Sequence, residues 1–329
     1  MQTEINKRVE NLYRAAHDQY LIVAHEAPGV VMLTGEDRLD LLNRMSTNDL
    51  RDLPPGHWKR TILTNALARI VDVVMVFSQE SDVLLLTSPG RAENILAWLS
   101  GYIFFQDDVQ VSMPELDLSL WGIYGPAAGI RLGELGISHV PVAGGEFAAS
   151  ENGLVWHVAR PAPGGLQLLL SDDARSRSAA LRDAANLPEA REAYEILRIE
   201  SGLPRMGYEI TDETIPLEVG LWDDVSFSKG CYIGQEILVR MEGRGQIARR
   251  LVLVQLSHPL PHGSSLLSEG RKAGRLTSVA NSPELGWIGL ALVRTNALER
   301  GTLQTQNKAV EIRILDPLQW NRTSRTSPA

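Results

Sequence analysis

One cysteine in 329 residues, Cys231, decides what can hold this chain together. It excludes an intramolecular disulfide, and it excludes a self-contained iron–sulfur site, which takes four ligands that are mostly cysteine. The fold must therefore rest on burial alone. A chain of this length with 44% hydrophobic residues has the apolar surface to do that. The same count fits a reducing compartment. The N-terminus mixes both charge signs without an apolar stretch, so no secretory signal is read there. No apolar run approaches the roughly 20 residues that span a bilayer. The expectation is a soluble, cytoplasmic protein. A net charge of −8 argues against a surface built for nucleic acid.

Length predicts about two domains, or three small ones. Residues 4–18 have a helical composition, short strands follow at Tyr20–His25 and Gly29–Thr34, and Asp37 opens a helix through Leu39, Leu42 and Met45. That helix stops at Ser46–Asp49, whose side chains compete for backbone hydrogen bonds. Strands His57–Asn65 and Arg69–Ser78 are joined by Ala66–Ala68, a third strand spans Ser81–Thr87, and a helix runs on to Gly101. Further strands are read at Asp108–Ser112, at Leu118–Tyr124 and in pieces from Val140 to Leu170, followed by a polar helix over 171–185. Pro188 opens a helix that Gly202 and Pro204 close. Pro204–Lys229 reads as loop, with Trp222-Asp223-Asp224 exposed. After Gly245, β runs at Arg250–Leu256, Gly274–Ser278, Leu285–Val293 and Ala309–Ile314 alternate with turn residues, which predicts a small antiparallel barrel or sandwich. The tail from Pro317 is polar and expected to fray. The class is α+β, with an N-terminal region over 1–240 and a β-rich domain over 245–320.

Three stretches could carry chemistry. In Lys229-Gly230-Cys231-Tyr232-Ile233-Gly234-Gln235-Glu236 the thiol stands two residues after a lysine and just before a helix-like run, Gly234–Met241. A cation or a helix N-terminus nearby favours the reactive thiolate; the plain alternative is a small buried hydrophobe. Gly230 and Gly234 would allow close backbone approach or positive φ.

Glu200 falls in the last turn of the 188–202 helix, beside the face made by Ala190, Tyr194, Leu197 and Ser201. The helix macrodipole opposes a carboxylate there. Either it pairs with Arg198 or a neighbouring arginine, or it accepts paired N–H donors such as those on the edge of a pterin or guanine. Arg240, Arg244, Arg249 and Arg250 could receive an anionic ligand tail or an RNA backbone, or form a solvated face. The seven histidines show no metal-ligand spacing, and no serine stands in a nucleophile-elbow context.

Leu197-Arg198-Ile199-Glu200-Ser201-Gly202-Leu203-Pro204, Gly207-Tyr208-Glu209, and Thr214-Ile215-Pro216-Leu217-Glu218 with Gly220-Leu221 resemble the folate-binding region of glycine-cleavage T-proteins. Ser46-Thr47-Asn48-Asp49-Leu50, Gly56 and Thr64-Asn65 are similar as well. Lys229–Glu236, with Arg240, Arg244-Gly245 and Arg249, resembles the YgfZ branch of that superfamily. Those proteins are folate-binding factors that assemble or maintain iron–sulfur clusters, with effects on tRNA thiomodification.

The resemblance covers nearly the whole chain and implies a three-domain cloverleaf around a hole that holds tetrahydrofolate or a derivative. It implies that Glu200 binds the pterin, and that Arg198, Tyr208, Gln235, Glu236 and Arg240 are further folate-binding residues. Cys231, with Lys229, would face the same hole as a reactive thiol. The implied partners are iron–sulfur client or assembly proteins, with no direct tRNA contact. No resident metal is implied, Cys231 serving only as a transient shared ligand.

One departure separates the branches. T-proteins carry paired aspartates in the strand after the Thr-Asn turn, the second of them catalytic. Here the run is Ile70-Val71-Asp72-Val73-Val74, so Val73 occupies the catalytic position. Asp72 points to the opposite strand face. Ala68 also stands where a glycine is usual. The expectation is an accessory factor with weak or no aminomethyltransferase activity. A T-protein-like transferase is the alternative, and an RNA-facing module using the arginines is a third reading that the acidic charge opposes.

Overall fold

Val9, Leu12, Tyr13 and Ala16 fall three and four residues apart and give the first helix, α1 (Gln2–Asp18), one buried face. A computed structural model gives the structure of the chain and describes residues 2–137, 141, 144–150, 153–171, 181, 183, 187–245, 247–300, 303–305 and 310–316. Strands β1 (Leu21–Ala24) and β2 (Gly29–Thr34) precede α2 (Arg38–Met45). Then come β3 (Trp58–Thr64), β4 (Ile70–Ser78), β5 (Asp82–Thr87) and α3 (Ala92–Ser100). β6 (Gln110–Ser112) and β7 (Leu118–Tyr124) lead to α4 (Ala128–Glu134). β8 (Phe147–Ser150), β9 (Gly153–Val158) and β10 (Gly165–Ser171) follow. α5 (Pro188–Glu200), 3-10 turns at Pro216–Val219 and Trp222–Asp224, and α6 (Gln235–Arg244) link these to the last third. That third holds β11 (Arg249–Leu256), β12 (Ser265–Ser268), β13 (Arg271–Ser282), β14 (Gly286–Arg294), α7 (Thr295–Leu298), β15 (Leu303–Gln304) and β16 (Glu311–Asp316).

The strands form three units. One five-stranded sheet has the order β3-β4-β5-β2-β6, a second has β1-β7-β10-β9-β8, and β11-β14-β13-β12-β15-β16 close into a barrel. Closure removes the exposed edges that six short strands would otherwise present. The barrel resolves the choice between barrel and sandwich. It also contains β12 and β15, and a β13 much longer than the Gly274–Ser278 run. The flanks of β13 are Arg, Lys and Asn, which lack the apolar signal of a strand core.

α2 and α3 cover one face of the first sheet with Leu41, Leu42, Met45, Ile95 and Leu99. Its other face meets the second sheet through Phe77, Leu84 and Leu86 against Phe147, Leu154 and Trp156. The first sheet and the barrel meet in one further core. Ile62 comes to it from β3, Ala68 from the β3–β4 turn, Ile70 from β4, Ile199 from α5, Leu238 from α6, and Leu251, Leu290 and Leu292 from the barrel. The segment 204–234 threads this junction and lends it Leu217, Val219, Leu221 and Tyr232.

That segment lacks long elements, as its turn residues predict, but Asp224 is buried rather than exposed. Its carboxylate accepts from Arg60 Nε at 2.9 Å and 3.0 Å, and its backbone oxygen accepts from Thr47 Oγ1 at 2.6 Å. The expected polar helix over 171–185 falls mostly, and the expected frayed tail from Pro317 entirely, outside the described residues. Among the described residues no helix is long and apolar enough to cross a membrane.

Candidate functional site

The turn between β3 and β4 is fixed by Asn65, whose Oδ1 accepts from Leu67 N at 2.9 Å and Arg69 N at 3.1 Å. Ala68 closes that turn, fully buried, at φ 56°. It holds the left-handed conformation that glycine adopts freely and an L-residue adopts at about 1–2 kcal/mol. The segment 229–236 lies directly on this turn. A Cβ on Gly234 (φ 85°) would stand 2.8 Å from the Asn65 oxygen and 2.9 Å from the Ala68 Cα. Thr64 Oγ1 donates to Ile233 O at 2.6 Å. Gly234 is thus a close-approach glycine, whereas a Cβ on Gly230 would meet open space.

Cys231 is exposed, so it is not the small buried hydrophobe of the plain alternative. Lys229 beside it is buried, and its ammonium turns toward the end of α2. Nζ donates to Asn43 O at 2.6 Å, Asn43 Oδ1 at 3.2 Å, Ser46 O at 2.7 Å and Asn48 O at 2.7 Å. Burial draws the pKa of this lysine down to about 7, with Asp49 opposing the fall. Four oxygens that bond best to the charged form also hold the proton, and we take the group as an ammonium. The lysine expected to activate the thiol is therefore engaged in pinning 229–236 to residues 43–48.

Glu200 is half-buried at the end of α5. The Tyr13 hydroxyl donates to its Oε2 at 3.0 Å and lies 3.3 Å from Oε1. Burial raises the Glu200 pKa, the Ser282 and Tyr13 hydroxyls oppose that, and Glu284 adds to it. Of the two sequence readings, pairing with Arg198 is not realised.

Arg198 is buried, and its five N–H groups have five acceptors. Nε and Nη2 donate to the two Glu195 oxygens at 2.9 Å and 2.6 Å. Nη1 donates to Leu203 O at 2.5 Å and Glu209 Oε2 at 3.1 Å, and Nη2 also donates to Ser278 Oγ at 2.6 Å. Ser278 in turn donates to Glu209 Oε1 at 2.6 Å. Arg198 is a fastener between α5, the 203–210 loop and β13, and nothing on its guanidinium is left for a folate. For Arg198 to bind folate, one of these five bonds would have to be given up.

The remaining expected folate residues spread over two places. Tyr208 is partly exposed, with the Arg205 guanidinium 3.8 Å above its ring. Gln235 bonds the Lys229 oxygen at 3.4 Å, while Glu236 and Arg240 are exposed on α6. Arg249 is withdrawn from the arginine cluster. It donates to both Glu218 oxygens at 3.0 Å and 2.7 Å and to Glu213 O at 3.0 Å. Arg240 and Arg244, one turn apart on α6, are its exposed members.

On β4 the two faces have opposite chemistry. Asp72 is fully buried, accepting from Ser88 Oγ at 2.6 Å, Ser88 N at 3.0 Å and Val73 N at 2.9 Å. Burial raises its pKa. Val73 points the other way and packs on the junction core that also holds Ala68 and Tyr232. No carboxylate of β4 faces that junction.

The description GCVT N-terminal domain matches residues 3–153, and CAF17, C-terminal beta-barrel domain matches residues 249–320. The crystal structure of glycine cleavage system aminomethyltransferase T from Bartonella henselae superposes with a TM-score of 0.78 at 18% identity, over 94% of this chain and 89% of that one. The fold is that of a T-protein. A chloroplastic Arabidopsis thaliana protein, whose name goes no further than a provisional transferase, is 28% identical over 84% of this chain. The chain spans 66% of that relative's length. The aminomethyltransferase of Geobacillus kaustophilus is 28% identical over 83% of this chain and 79% of its own length, and that of Bacillus subtilis 27% over 87% and 84%. These matches support a place in the T-protein superfamily, with a CAF17-type barrel at the C-terminal end.

Within this T-protein fold, sequence reasoning missed the groups that hold the candidate ones. Tyr13 lies 187 positions from Glu200, and Asn43 lies 186 from Lys229. The available signal was weak: Tyr13 sits on the apolar stripe of α1, where a tyrosine hydroxyl needs a polar partner.

Proposed function

We propose that the protein binds tetrahydrofolate or a derivative beside Glu200 and serves as an accessory factor in iron–sulfur cluster assembly or repair. The observation that carries this reading is β4: its only carboxylate, Asp72, is locked to Ser88 on one face, and Val73 offers a hydrocarbon to the other. A valine can neither hold charge nor pass a proton, which favours a folate-binding role over transferase chemistry.

Tetrahydrofolate fits what is present. Glu200 is half-buried, has no ion pair among the described residues, and keeps oxygen lone pairs beyond those used by Tyr13. That suits the paired N–H donors of a pterin edge. Arg240 and Arg244 are free to meet an anionic tail. When bound, the folate would supply a one-carbon carrier. The cluster is cargo: one exposed thiolate offers it one ligand, and the others must come from a partner protein. Among the described residues no group of three or more potential metal ligands gathers. Effects on tRNA thiomodification would follow through cluster enzymes, without direct tRNA contact. A cytoplasmic setting and a division into a folate-binding region (1–240) and a barrel domain (245–320) belong to the same reading.

Calorimetric titration of tetrahydrofolate tests it. Wild type and Cys231→Ala should bind alike and Glu200→Ala about tenfold or more weakly; no binding by wild type sinks the folate reading. Loss of iron–sulfur enzyme activity in cells carrying only Cys231→Ala supports the accessory role, and full activity counts against it. A second reading, a tetrahydrofolate-dependent aminomethyltransferase, is favoured by the names of the bacterial relatives. Formation of methylene-tetrahydrofolate from an aminomethyl donor would establish it.

A further inference from the structure

Glu200 stands where three segments remote in sequence meet. Tyr13 reaches it from α1, and its phenol is almost wholly buried, with the hydroxyl set against both carboxylate oxygens. From the barrel comes the β13–β14 hairpin. Ser282 there is buried, and its Oγ accepts from Glu284 N at 3.1 Å and Leu285 N at 3.0 Å. Those two bonds use the oxygen's lone pairs and leave the Ser282 O–H as a donor, and this hydroxyl acts on both Glu200 and Tyr13. α1 and α5 pack through Val9, Tyr13, Ala16, Ala190, Ala193 and Leu197, so the phenol is held by its ring while its hydroxyl serves the carboxylate.

We infer that Tyr13 is a positioning residue for Glu200, so that the N-terminal helix is part of the ligand site. The inference rests on the folate reading. A half-buried carboxylate at a helix C-terminus is opposed by the macrodipole and by desolvation. The Tyr13 hydroxyl offsets part of that opposition and fixes which lone pairs remain for a ligand's N–H groups.

Tyr13→Phe keeps the ring and deletes only the donor. The test is calorimetric titration of tetrahydrofolate between pH 5.5 and 8.5 into wild type and Tyr13→Phe. The charged and polar groups facing Glu200 are Tyr13 and His17 from α1 and Ser282 and Glu284 from the hairpin. Affinity carried by the Glu200 carboxylate is lost as pH falls through its pKa. Without a donor to the charged form, that acid limb should move to higher pH, and affinity at pH 7 should fall about tenfold. A purely structural role would lower the unfolding temperature and leave the acid limb in place. Tyr13→Phe with wild-type affinity and a wild-type limb overturns the inference while the folate reading stands. A wild type that binds no tetrahydrofolate overturns both.

Discussion

The Lys229 ammonium donates to the Asn43 carbonyl at 2.6 Å, tying the cysteine-bearing segment to the end of α2 across 186 positions. Ser46 and Asn48 carbonyls complete its shell. Lys229→Met removes the donor from three main-chain oxygens in a buried setting, while the Asn43 amide oxygen keeps Leu50 N at 3.1 Å. Each such orphan costs about 1–3 kcal/mol when water cannot reach it. We expect a loss of about 3 kcal/mol in urea unfolding. A loss under 1 kcal/mol would mean that water takes over the shell.

Arg198 and Glu209 should behave as a buried ion pair that joins α5 to the 203–210 loop. Removing Arg198 strands the fully buried Glu209 carboxylate, which costs about 3–5 kcal/mol, whereas without Glu209 the guanidinium keeps its bidentate pair with Glu195. Arg198→Met should destabilise by that order and Glu209→Gln by less. The double variant should cost much less than their sum, because the second change removes the stranded charge. A double-mutant cycle in urea reads the coupling directly, and additive losses would show that the two side chains act separately.

What the sequence made legible follows a physical division. Element types are legible locally: the helical composition of residues 4–18 and the strand-like run of β4 are written in adjacent residues. The role of Arg198 was not, because its partners Glu209 and Ser278 are set by how the 203–210 loop and β13 return to α5. The direction of the Lys229 side chain is out of reach of the sequence for a related reason. Nearness in sequence to Cys231 says nothing about which way a four-carbon side chain turns, and the α2 carbonyls that attract it lie in another element. Val73 was legible, since strand alternation alone puts it opposite Asp72. Ala68 was legible as a departure, though only the backbone shows that it keeps a left-handed conformation.

The two glycines flanking Cys231 should differ sharply. Gly234→Ala adds a Cβ 2.8 Å from the Asn65 oxygen at a residue with φ 85°, so the segment must lift from the turn. A destabilisation of about 2 kcal/mol or more is expected. Gly230→Ala meets nothing within 4 Å and should change stability by under about 0.5 kcal/mol. Parallel thermal melts check the contrast, and equal losses would contradict the tight seat of Gly234 on the Asn65–Ala68 turn.

Glu200→Gln should show that the carboxylate is a stability cost kept in place. Burial, with Glu284, raises the Glu200 pKa in the folded chain above its unfolded value. An acid whose folded pKa is raised holds more protons folded than unfolded between the two values, so its contribution to stability falls as pH rises through that window. Above it the ionised group opposes folding by a fixed amount, and below the unfolded pKa the opposition vanishes. Glutamine keeps an oxygen to accept from Tyr13 and carries no charge. The variant should therefore be more stable than wild type at pH 7, and the gap should close as pH falls toward the ordinary carboxylate range. Urea unfolding of both proteins at pH 7, 6, 5 and 4 measures this. A gap that stays constant with pH would mean that Glu200 is as well solvated folded as unfolded, and would remove the reason for reading it as a carboxylate held for a ligand.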